Sequence, residues 1–532
     1  MILFRPYLLF RFIIVAVIVT ITAFLVPFLL LLFSDVKIMP LWADGVLGLK
    51  SAFFRTVLFA LTSSLLNTVG ALQLAIIIRK IRINDPIWGV LLLFLLFPTL
   101  MGNVTTSYVF KTALYDTSLF TYIMSSGDCV QMVSLLCIQF WQYGFLFTYL
   151  FLLCMQQIPS WKFVFGSSIG LTEKEVVRDI IIPSTKNLFI LLFIIGLVFA
   201  FYESAKSQFV FKASQGMDTE LVSQALYRIF QSYSIISPTS SQKQIIGVGL
   251  TITISVTVLI SLCCIILNLF FSSIRKMHFY IVCKNEAIGK VVTLLCVAFV
   301  VLPILVALLK SNYVFSIDSA TQLKTPLILT LISAFFASLL AILFGIAVRV
   351  VCNRSSSHFS TNSFFLFLFI FLLLLIPPIC VVICAYKWMS IVGYNDIVVC
   401  LIWIWGHPIL VFPLLGSFVF ATHFFVTNNE IEWNIVHKLK CRDIILYSFI
   451  KRFTKDYILT FLFAFTFIWN DVSLNRVLSD EVPSFAERMQ RLFVGRATDD
   501  AQATLYALIA ILISFICLCL WKSIIQRIKY IN

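Results

Sequence analysis

The sequence is poor in charge for its length. Only 12% of its 532 residues are Asp, Glu, Lys or Arg, whereas hydrophobic residues make up 61%. A soluble globular chain carries about 25% charged residues. This shortage excludes a water-soluble domain as the main structure and indicates a chain that lies in lipid along most of its length.

The sequence also lacks the motifs of nucleotide hydrolysis and metal catalysis. None of its 19 glycines fits the phosphate-binding pattern G-x-x-x-x-G-K-[ST], and Gly289-Lys290 lacks both the upstream glycine and the Ser or Thr. The five histidines are scattered, and most of the 14 cysteines fall within apolar runs, where they act as small hydrophobic residues. We therefore expect no catalytic residue, no metal site and no cofactor in this chain.

Long apolar runs recur along the whole sequence. A run of about 18 residues or more can cross a hydrocarbon layer of about 30 Å as a helix, and a backbone in lipid must satisfy its own hydrogen bonds. The first run is longer than the core of a signal peptide, so we interpret it as a span. The pattern predicts an all-α, polytopic transmembrane bundle of about twelve spans, at residues 12–33, 56–78, 87–110, 131–154, 188–205, 245–271, 291–309, 325–348, 363–386, 398–422, 458–470 and 504–521.

The distribution of charge predicts the orientation of these spans. With the N-terminus in the cytoplasm, 24 of the 39 Lys and Arg residues lie on the cytoplasmic side and 15 outside. Acidic residues divide 9 to 15, so the net charge is +15 inside (24 minus 9) and zero outside (15 minus 15). The positive-inside rule thus favours a multi-pass protein of the plasma (bacterial inner) membrane with both termini in the cytoplasm. Because the basic residues are dispersed, we expect no nucleic-acid partner.

The two halves of the sequence correspond at a spacing near 268 residues. Arg79 and Arg349 end corresponding spans, and Glu203, at the end of the fifth span, stands opposite Asp471. A repeated unit of this kind indicates internal duplication. We interpret the chain as two six-span halves, residues 1–271 and 291–532, joined by a cytoplasmic connector, residues 272–290.

The loop after the fourth span has the pattern of a helix, a tight turn and a second helix. Thr172 and Glu175 have the spacing of a capping box at the start of the second helix. Gly170 permits a sharp turn before that helix, and Pro183 is expected to end it. The segment is amphipathic, which places it on the cytoplasmic membrane face.

This loop resembles the coupling loop of the permease subunits of binding-protein-dependent ABC importers. Gly170 and Pro183 have the spacing of the family's Gly and Pro, and Gly166 retains the last small residue of its Glu-Ala-Ala element. The corresponding loop of the second half has lost the Gly and Pro. The candidate coupling residues implied by the resemblance are Gly166, Gly170, Thr172, Glu173, Glu175, Ile180 and Pro183 in the first loop, and Lys438, Arg442 and Lys451 in the second.

The resemblance implies an architecture and a set of partners. The fold would be two homologous six-helix halves of the MetI-like permease type. The partners would be two copies of a cytoplasmic ABC ATPase, which binds the ATP, a periplasmic or lipid-anchored substrate-binding protein, and membrane lipid. Fusion of both halves in one chain resembles the iron(III) and thiamine permeases, and more loosely the polyamine and sulfate ones. For both loops, an ordinary interfacial helix is the alternative.

Glu203 and Asp471 are candidate residues of the substrate pathway. A charge near lipid is costly, so it normally faces a cavity or a partner. Tyr202 and Asn470 precede them and complete the candidate set. The alternative is a pair of carboxylates at the membrane interface, with Glu203 paired to Lys206. Other polar residues of the spans either line the route or bond neighbouring helices; these are Asn67, Gln73, Asn103, Gln139, Gln142 and His407.

Two other functional classes stay open. A twelve-span secondary transporter would also be duplicated, although it would more often place its long cytoplasmic connection between the halves. A polytopic membrane enzyme would need His, Asp or Ser clustered at one membrane face, and the histidines show no such cluster.

Overall fold

The computed structural model describes the chain in several separate stretches. These are residues 49–81, 86–114, 117–118, 122–123, 128–156, 158, 160–201, 203, 206, 220–226, 248–249, 251–263, 265–267, 285–310, 324–339, 461, 465, 468–469, 485–494 and 500–528. Every regular element within these stretches is a helix, so the expected all-α class is confirmed for this part of the chain.

Helices of the first half pack around one long helix. The bounds are α1 (Leu49–Ile78), α2 (Pro86–Phe94), α3 (Phe97–Leu100), α4 (Gly102–Leu114), α5 (Asp128–Gln139), a π-helical turn (Phe140–Gly144), α6 (Phe145–Gln156), α7 (Ser160–Ser168), α8 (Glu173–Val176), a second π-helical turn (Val177–Ile181), α9 (Ile182–Phe201) and α10 (Thr251–Leu267). α1 packs along α9 and α6, which makes it the central helix of this group.

Helices of the second half continue the same bundle. They are α11 (Glu286–Lys310), α12 (Lys324–Leu339), α13 (Phe485–Val494) and α14 (Asp500–Ile528). α11 packs on α4 and α1, and α14 packs on α13. Apart from Thr293, the side chains of α11 between Lys290 and Lys310 are apolar, and most of them are exposed or half-buried, as expected for a helix at the lipid-facing periphery.

Four of the described helices are long and apolar enough to cross a membrane. They are Leu49–Ile78, Cys129–Gln156, Glu286–Lys310 and Gln502–Leu520, and each overlaps an expected span. A fifth candidate is bent by 56° between Lys186 and Leu188. The expected spans at residues 12–33, 363–386 and 398–422 lie outside the described residues, and α10 and α12 are shorter apolar helices within expected spans.

The expected span at residues 87–110 is not one continuous helix, because the chain forms three short helices there. α2 ends at Phe94, α3 carries Pro98 in its first turn, and α4 begins at Gly102, whose φ is 72°. Proline lacks an N–H, and a positive φ is adopted readily only by glycine, so the two residues interrupt one continuous hydrogen-bond ladder. The sequence pattern of apolar residues does not record such a break.

Pro303 interrupts the hydrogen bonding of α11 without ending the helix. Proline at this position cannot donate to the carbonyl of Phe299, four residues earlier. The indole Nε1–H of Trp141 donates to that carbonyl instead, at 3.1 Å, and Trp141 is fully buried. The freed carbonyl is thus satisfied by a neighbouring helix, as a backbone in lipid requires.

α1 and α12 repeat the same arrangement of side chains. Residues 50–65 and 324–339, aligned at an offset of 274, share their buried, half-buried and exposed classes at every position except Leu61 and Phe335. In both helices a buried threonine hydroxyl donates to the carbonyl four residues earlier, from Thr56 to Ala52 and from Thr330 to Pro326. The match supports duplication, at an offset six residues longer than the one near 268 inferred from sequence.

Candidate functional site

The first candidate site is the segment between α6 and the apolar part of α9. We call residues 160–186 the interfacial segment. It consists of α7, a turn at Gly170, α8, the π-helical turn Val177–Ile181 and the first residues of α9. The helix, tight turn and second helix expected from sequence are therefore confirmed.

The turn at Gly170 is a Schellman motif that closes α7. The N–H of Leu171 donates to the carbonyl of Gly166 at 3.0 Å, and the N–H of Gly170 donates to that of Ser167 at 3.1 Å. These are the two hydrogen bonds of the motif, whose left-handed residue is usually glycine. Gly170 has a φ of 75°, as the motif requires. The sharp turn expected at Gly170 is therefore confirmed.

Thr172 and Glu175 form the capping box that the sequence indicates. The Thr172 hydroxyl accepts from the backbone N–H of Glu175 at 3.4 Å, and the Glu175 carboxylate accepts from the backbone N–H of Thr172 at 2.7 Å. This backbone hydrogen bond, with a second from the Thr172 hydroxyl, lowers the pKa of Glu175 from its ordinary value. The box fixes where the second helix starts, directly after the turn.

Gly166 is the point where α7 meets the second helix. A Cβ placed on Gly166 would lie 3.1 Å from Ile180 Cδ1 and 3.4 Å from Leu171 Cδ1. Contacts this short are rare for real side chains, so a larger residue would push the two helices apart. Two of the residues singled out from sequence, Gly166 and Ile180, are thus in direct van der Waals reach.

Glu173 ties the interfacial segment to the end of α1. Its carboxylate accepts a hydrogen bond from Lys80 Nζ at 2.9 Å and forms an ion pair with Arg79. Partial burial would raise the pKa of Glu173, but the hydrogen bond from Lys80 and the charges of Arg79 and Lys80 outweigh it and lower that pKa. The pair lies outside the apolar spans. It gives the segment a fixed attachment to the longest helix of the first half.

Pro183 does not end the second helix, and this expectation is wrong. α9 runs from Ile182 through Pro183 to Phe201. The wider π-helical turn directly precedes Pro183 and accommodates it. Proline lacks the N–H of a regular helix, and its ring would crowd the carbonyl four residues earlier. The change of direction occurs three residues later, at the 56° bend after Lys186.

One side of α7 is apolar and exposed. Trp161, Val164, Phe165 and Ile169 recur at helical spacing, and each has more than half of its surface accessible. The buried residue of this helix is Gly166, on the opposite side. The interfacial segment therefore presents an apolar face to a partner or to lipid.

The second candidate site is a buried polar cluster among the spans. We call the set Asn103, Gln139, Tyr143, Glu203 and Lys206 the buried cluster. Glu203 and Lys206 form an ion pair, and the two side chains are 1% and 0% exposed. The pairing expected as an alternative is present, but the pair is shielded from solvent. Removing one partner of such a pair leaves an uncompensated charge, which costs about 3 to 5 kcal/mol.

The Lys206 ammonium is surrounded by acceptors. Nζ donates to Glu203 Oε2 at 2.5 Å, to Gln139 Oε1 at 2.5 Å and to Asn103 Oδ1 at 3.4 Å. The Tyr143 ring lies against it, with Nζ 5.1 Å from the ring centroid. An ammonium has three N–H donors, so this environment matches its full hydrogen-bonding capacity and adds a cation–π contact.

Backbone irregularities converge on the buried cluster. Asn103 lies in the first turn of α4, directly after the left-handed Gly102. Gln139 ends α5, and Tyr143 lies in the π-helical turn that follows. The hydroxyl of Tyr143 donates to Asn103 Oδ1 at 3.0 Å. Broken helices and π-helical turns are common where membrane transporters bind their substrates.

Two buried glutamine side chains have unpartnered atoms: Gln139, which belongs to the buried cluster, and Gln142, which precedes Tyr143 in the chain. Gln139 Nε2 has no hydrogen-bond partner, although Gln139 Oε1 bonds Lys206. Neither side-chain polar atom of Gln142 has a partner, and both residues are fully buried. A buried donor or acceptor without a partner costs about 1 to 3 kcal/mol, so such atoms mark places where a ligand can contribute hydrogen bonds.

The candidate residues from sequence fall into three groups. The residues of the first loop lie together in the interfacial segment, and Glu203 lies in the buried cluster. Sequence reasoning missed Arg79 and Lys80 as partners of Glu173, because they are more than ninety residues away and no local pattern links them. The others, Tyr202, Lys438, Arg442, Lys451, Asn470 and Asp471, lie outside the described residues.

Comparison with known proteins places the chain in no family. No protein-family model matches the sequence, no curated protein matches it, and no solved structure matches the fold.

Proposed function

We propose that this chain is the permease subunit of an ATP-driven importer in the bacterial inner membrane. In this proposal it forms the substrate pathway with twelve spans in two six-helix halves, and separate cytoplasmic ATPases drive it. The observation that carries the proposal is the interfacial segment, a capped helix–turn–helix tied to α1 through Glu173 and exposing an apolar face. The repeated pattern of α1 and α12 supports the two halves.

The interfacial segment has the stiffness that transmission of motion requires. A segment that transmits motion must move as one body, and its contacts must differ between the two states of the transporter. The Schellman turn, the capping box and the contact of Gly166 with Ile180 hold α7 and the second helix together. Glu173 links this unit to α1, the helix around which the first half packs. A docked ATPase would therefore move α1 together with the segment.

Site-specific photo-crosslinking tests the proposal. We expect a benzophenone side chain at Lys174, in the interfacial segment, to crosslink an ATPase that carries a Walker loop in native membranes. The matched control is Lys310, at the far end of α11, which is expected on the other membrane side and should give no ATPase adduct. Adducts with lipid alone at Lys174 would instead support an ordinary interfacial helix and would contradict the proposal.

A secondary transporter is a second candidate, and the buried cluster favours it. Intramembrane ion pairs such as Glu203–Lys206 mark proton relays and substrate routes in pumps and transporters. This candidate predicts uptake driven by a proton gradient in vesicles that contain only this chain. Dependence of uptake on an added ATPase and ATP would exclude it.

A further inference from the structure

We propose that the buried cluster is a recognition site for a substrate with a primary ammonium group, and that Lys206 occupies it in the absence of substrate. The proposal names a substrate class for the pathway, and so rests on the proposed transport function. In it, the ammonium of a small organic amine replaces that of Lys206 between Glu203, Gln139, Asn103 and the ring of Tyr143.

The chemistry of the site selects an ammonium group. Without the Lys206 charge, the surroundings consist of one carboxylate, two amide oxygens and one aromatic face. A primary ammonium can donate to all three oxygens while it contacts the ring, as Lys206 does. A quaternary ammonium has no N–H to donate, and an anion would meet the Glu203 carboxylate without compensation. Both are therefore expected to bind weakly.

The charge balance makes the exchange feasible. Burying the ionised Glu203 carboxylate without a counter-ion would cost several kcal/mol, so the ionised site favours a bound cation. Substrate ammonium can replace Lys206 without leaving the carboxylate unpaired, provided that Lys206 leaves as the substrate enters. Lys206 then acts as an internal competitor, and it keeps the site neutral between transport cycles.

The amide group of Gln139 provides donors for a second polar contact with the substrate. Gln139 Nε2 shares its amide carbon with the Oε1 that bonds Lys206, so its two N–H donors lie directly beside the ammonium. A hydroxyl, carbonyl or second polar group on the amine could accept from them. This contact favours short amines with an additional polar group over simple alkylamines.

Removing the competitor tests the proposal on the isolated, detergent-purified full chain. We expect Lys206→Ala to melt at a lower temperature than wild type, because Glu203 is left unpaired. We expect n-butylammonium, which has the four carbons and the ammonium of a lysine side chain, to restore most of the loss, while tetramethylammonium and acetate should not. The apparent Kd of 4-amino-1-butanol, whose hydroxyl can accept from Gln139 Nε2, should be about tenfold lower or more in Lys206→Ala than in wild type, since a self-occupied site binds weakly.

Lys290 provides a matched control for this variant. It too pairs with a glutamate, Glu286 at 2.9 Å, and lies over an aromatic ring, that of Trp88 at 5.6 Å, but its side chain is 39% exposed. Lys290→Ala should show no selective response to n-butylammonium. The double variant Glu203→Gln/Lys206→Met should also be unresponsive, because no buried charge remains to be paired.

The outcomes separate this inference from the transport function. Equal responses of Lys206→Ala and Lys290→Ala to n-butylammonium, or a response of Lys206→Ala to acetate, would overturn it. If Lys206→Ala does not accumulate, wild type decides: stabilisation by 4-amino-1-butanol that is lost in Glu203→Gln supports the site, whereas no stabilisation up to about 10 mM, well above typical substrate constants, overturns it. No ATPase is present in these experiments, so their failure leaves the crosslinking test of the importer unaffected.

Discussion

Thr56 and Thr330 hold equivalent backbone positions in the two halves. The Thr56 hydroxyl accepts from the backbone N–H of Val222 at 2.8 Å, and the Thr330 hydroxyl accepts from that of Phe485 at 2.9 Å. Val222 and Phe485 are 263 residues apart and lie in segments that the sequence places outside the membrane. Each threonine thus fastens a second helical segment to its own helix, and the arrangement occurs in both α1 and α12.

We expect Thr56→Val and Thr330→Val to destabilise the chain by similar amounts. Valine keeps the shape but leaves a buried N–H without an acceptor, at a cost of about 1 to 3 kcal/mol each. Because the two sites are in different halves, the double variant should show an additive loss. Thermal melting in detergent measures this.

Thr62→Val is the matched control for these threonines. The Thr62 hydroxyl donates to the carbonyl four residues earlier, as the Thr56 hydroxyl does, but the Thr62 side chain is exposed. Its replacement should have little effect. A loss at Thr62 equal to that at Thr56 would show that the contact to the second helical segment is unimportant.

Replacements of Gly170 should measure the cost of its backbone conformation alone, because no neighbouring atom crowds the site. A Cβ on Gly170 would meet no atom within 4 Å, so the cost comes from its φ of 75° alone. We expect Gly170→Ala to lose about 1 to 2 kcal/mol, Gly170→Asn less, because Asn tolerates this conformation, and Gly170→Val more. Transport coupled to ATP hydrolysis should fall in the same order while the protein remains in the membrane. Normal coupling in Gly170→Val would count against the rigid turn.

Replacement of Gly166 should destabilise the chain through packing instead of backbone conformation. Gly166→Val would press on Ile180, and we expect a loss of about 1 to 3 kcal/mol from this overpacking. The double variant Gly166→Val/Ile180→Ala should recover part of the loss, because Ile180→Ala removes the side chain in contact. Ser167→Val, next in the chain and exposed, is the control. Failure of Ile180→Ala to restore any melting temperature would argue against the contact.

These glycines show how much the sequence could predict. The capping box of Thr172 and the turn at Gly170 were predictable, because their hydrogen bonds join residues within five positions. The ion pair of Glu173 with Arg79 was not, because it depends on how α1 and the interfacial segment pack. The break of the third span was missed for a different reason: Pro98 and Gly102 interrupt helical hydrogen bonds but leave the apolar run unchanged.

The ion pairs of Glu173 should weaken in acid. Its pKa is lowered in the folded chain, so its stabilising contribution is present above the unfolded pKa of about 4.3 and is lost as pH falls through the lower folded value. We expect Glu173→Gln to melt below wild type at pH 7, by an amount that corresponds to about 1 kcal/mol or less because the carboxylate is partly exposed. The difference should shrink as the pH falls below about 4.3 and should be gone below the lowered folded pKa. A difference that persists there would mean that the charge is not its cause.

Trp141 should be needed for its N–H and not only for its ring. Trp141→Phe removes the donor to the carbonyl of Phe299, which Pro303 leaves without a helical partner. We expect a loss of about 1 to 3 kcal/mol for the unpaired carbonyl, in addition to the packing change. Pro303→Ala supplies a helical N–H, so the loss from Trp141→Phe should be smaller in that background. The exposed Trp161 offers a control, since Trp161→Phe should leave thermal melting unchanged.

The uncharged stretch of α11 between Lys290 and Lys310 has about the length that is needed to cross the hydrocarbon layer of a bilayer. Its 19 residues, 291–309, span about 28 Å at the rise of an α-helix. Because this helix is largely exposed along its length, contacts with other helices would compensate little for a mismatch between its length and the thickness of the hydrocarbon layer. In lipids with longer acyl chains the surrounding bilayer would have to thin, and in shorter ones the helix would have to tilt. The choice of lipid for reconstitution is therefore an experimental variable in every functional assay of this protein.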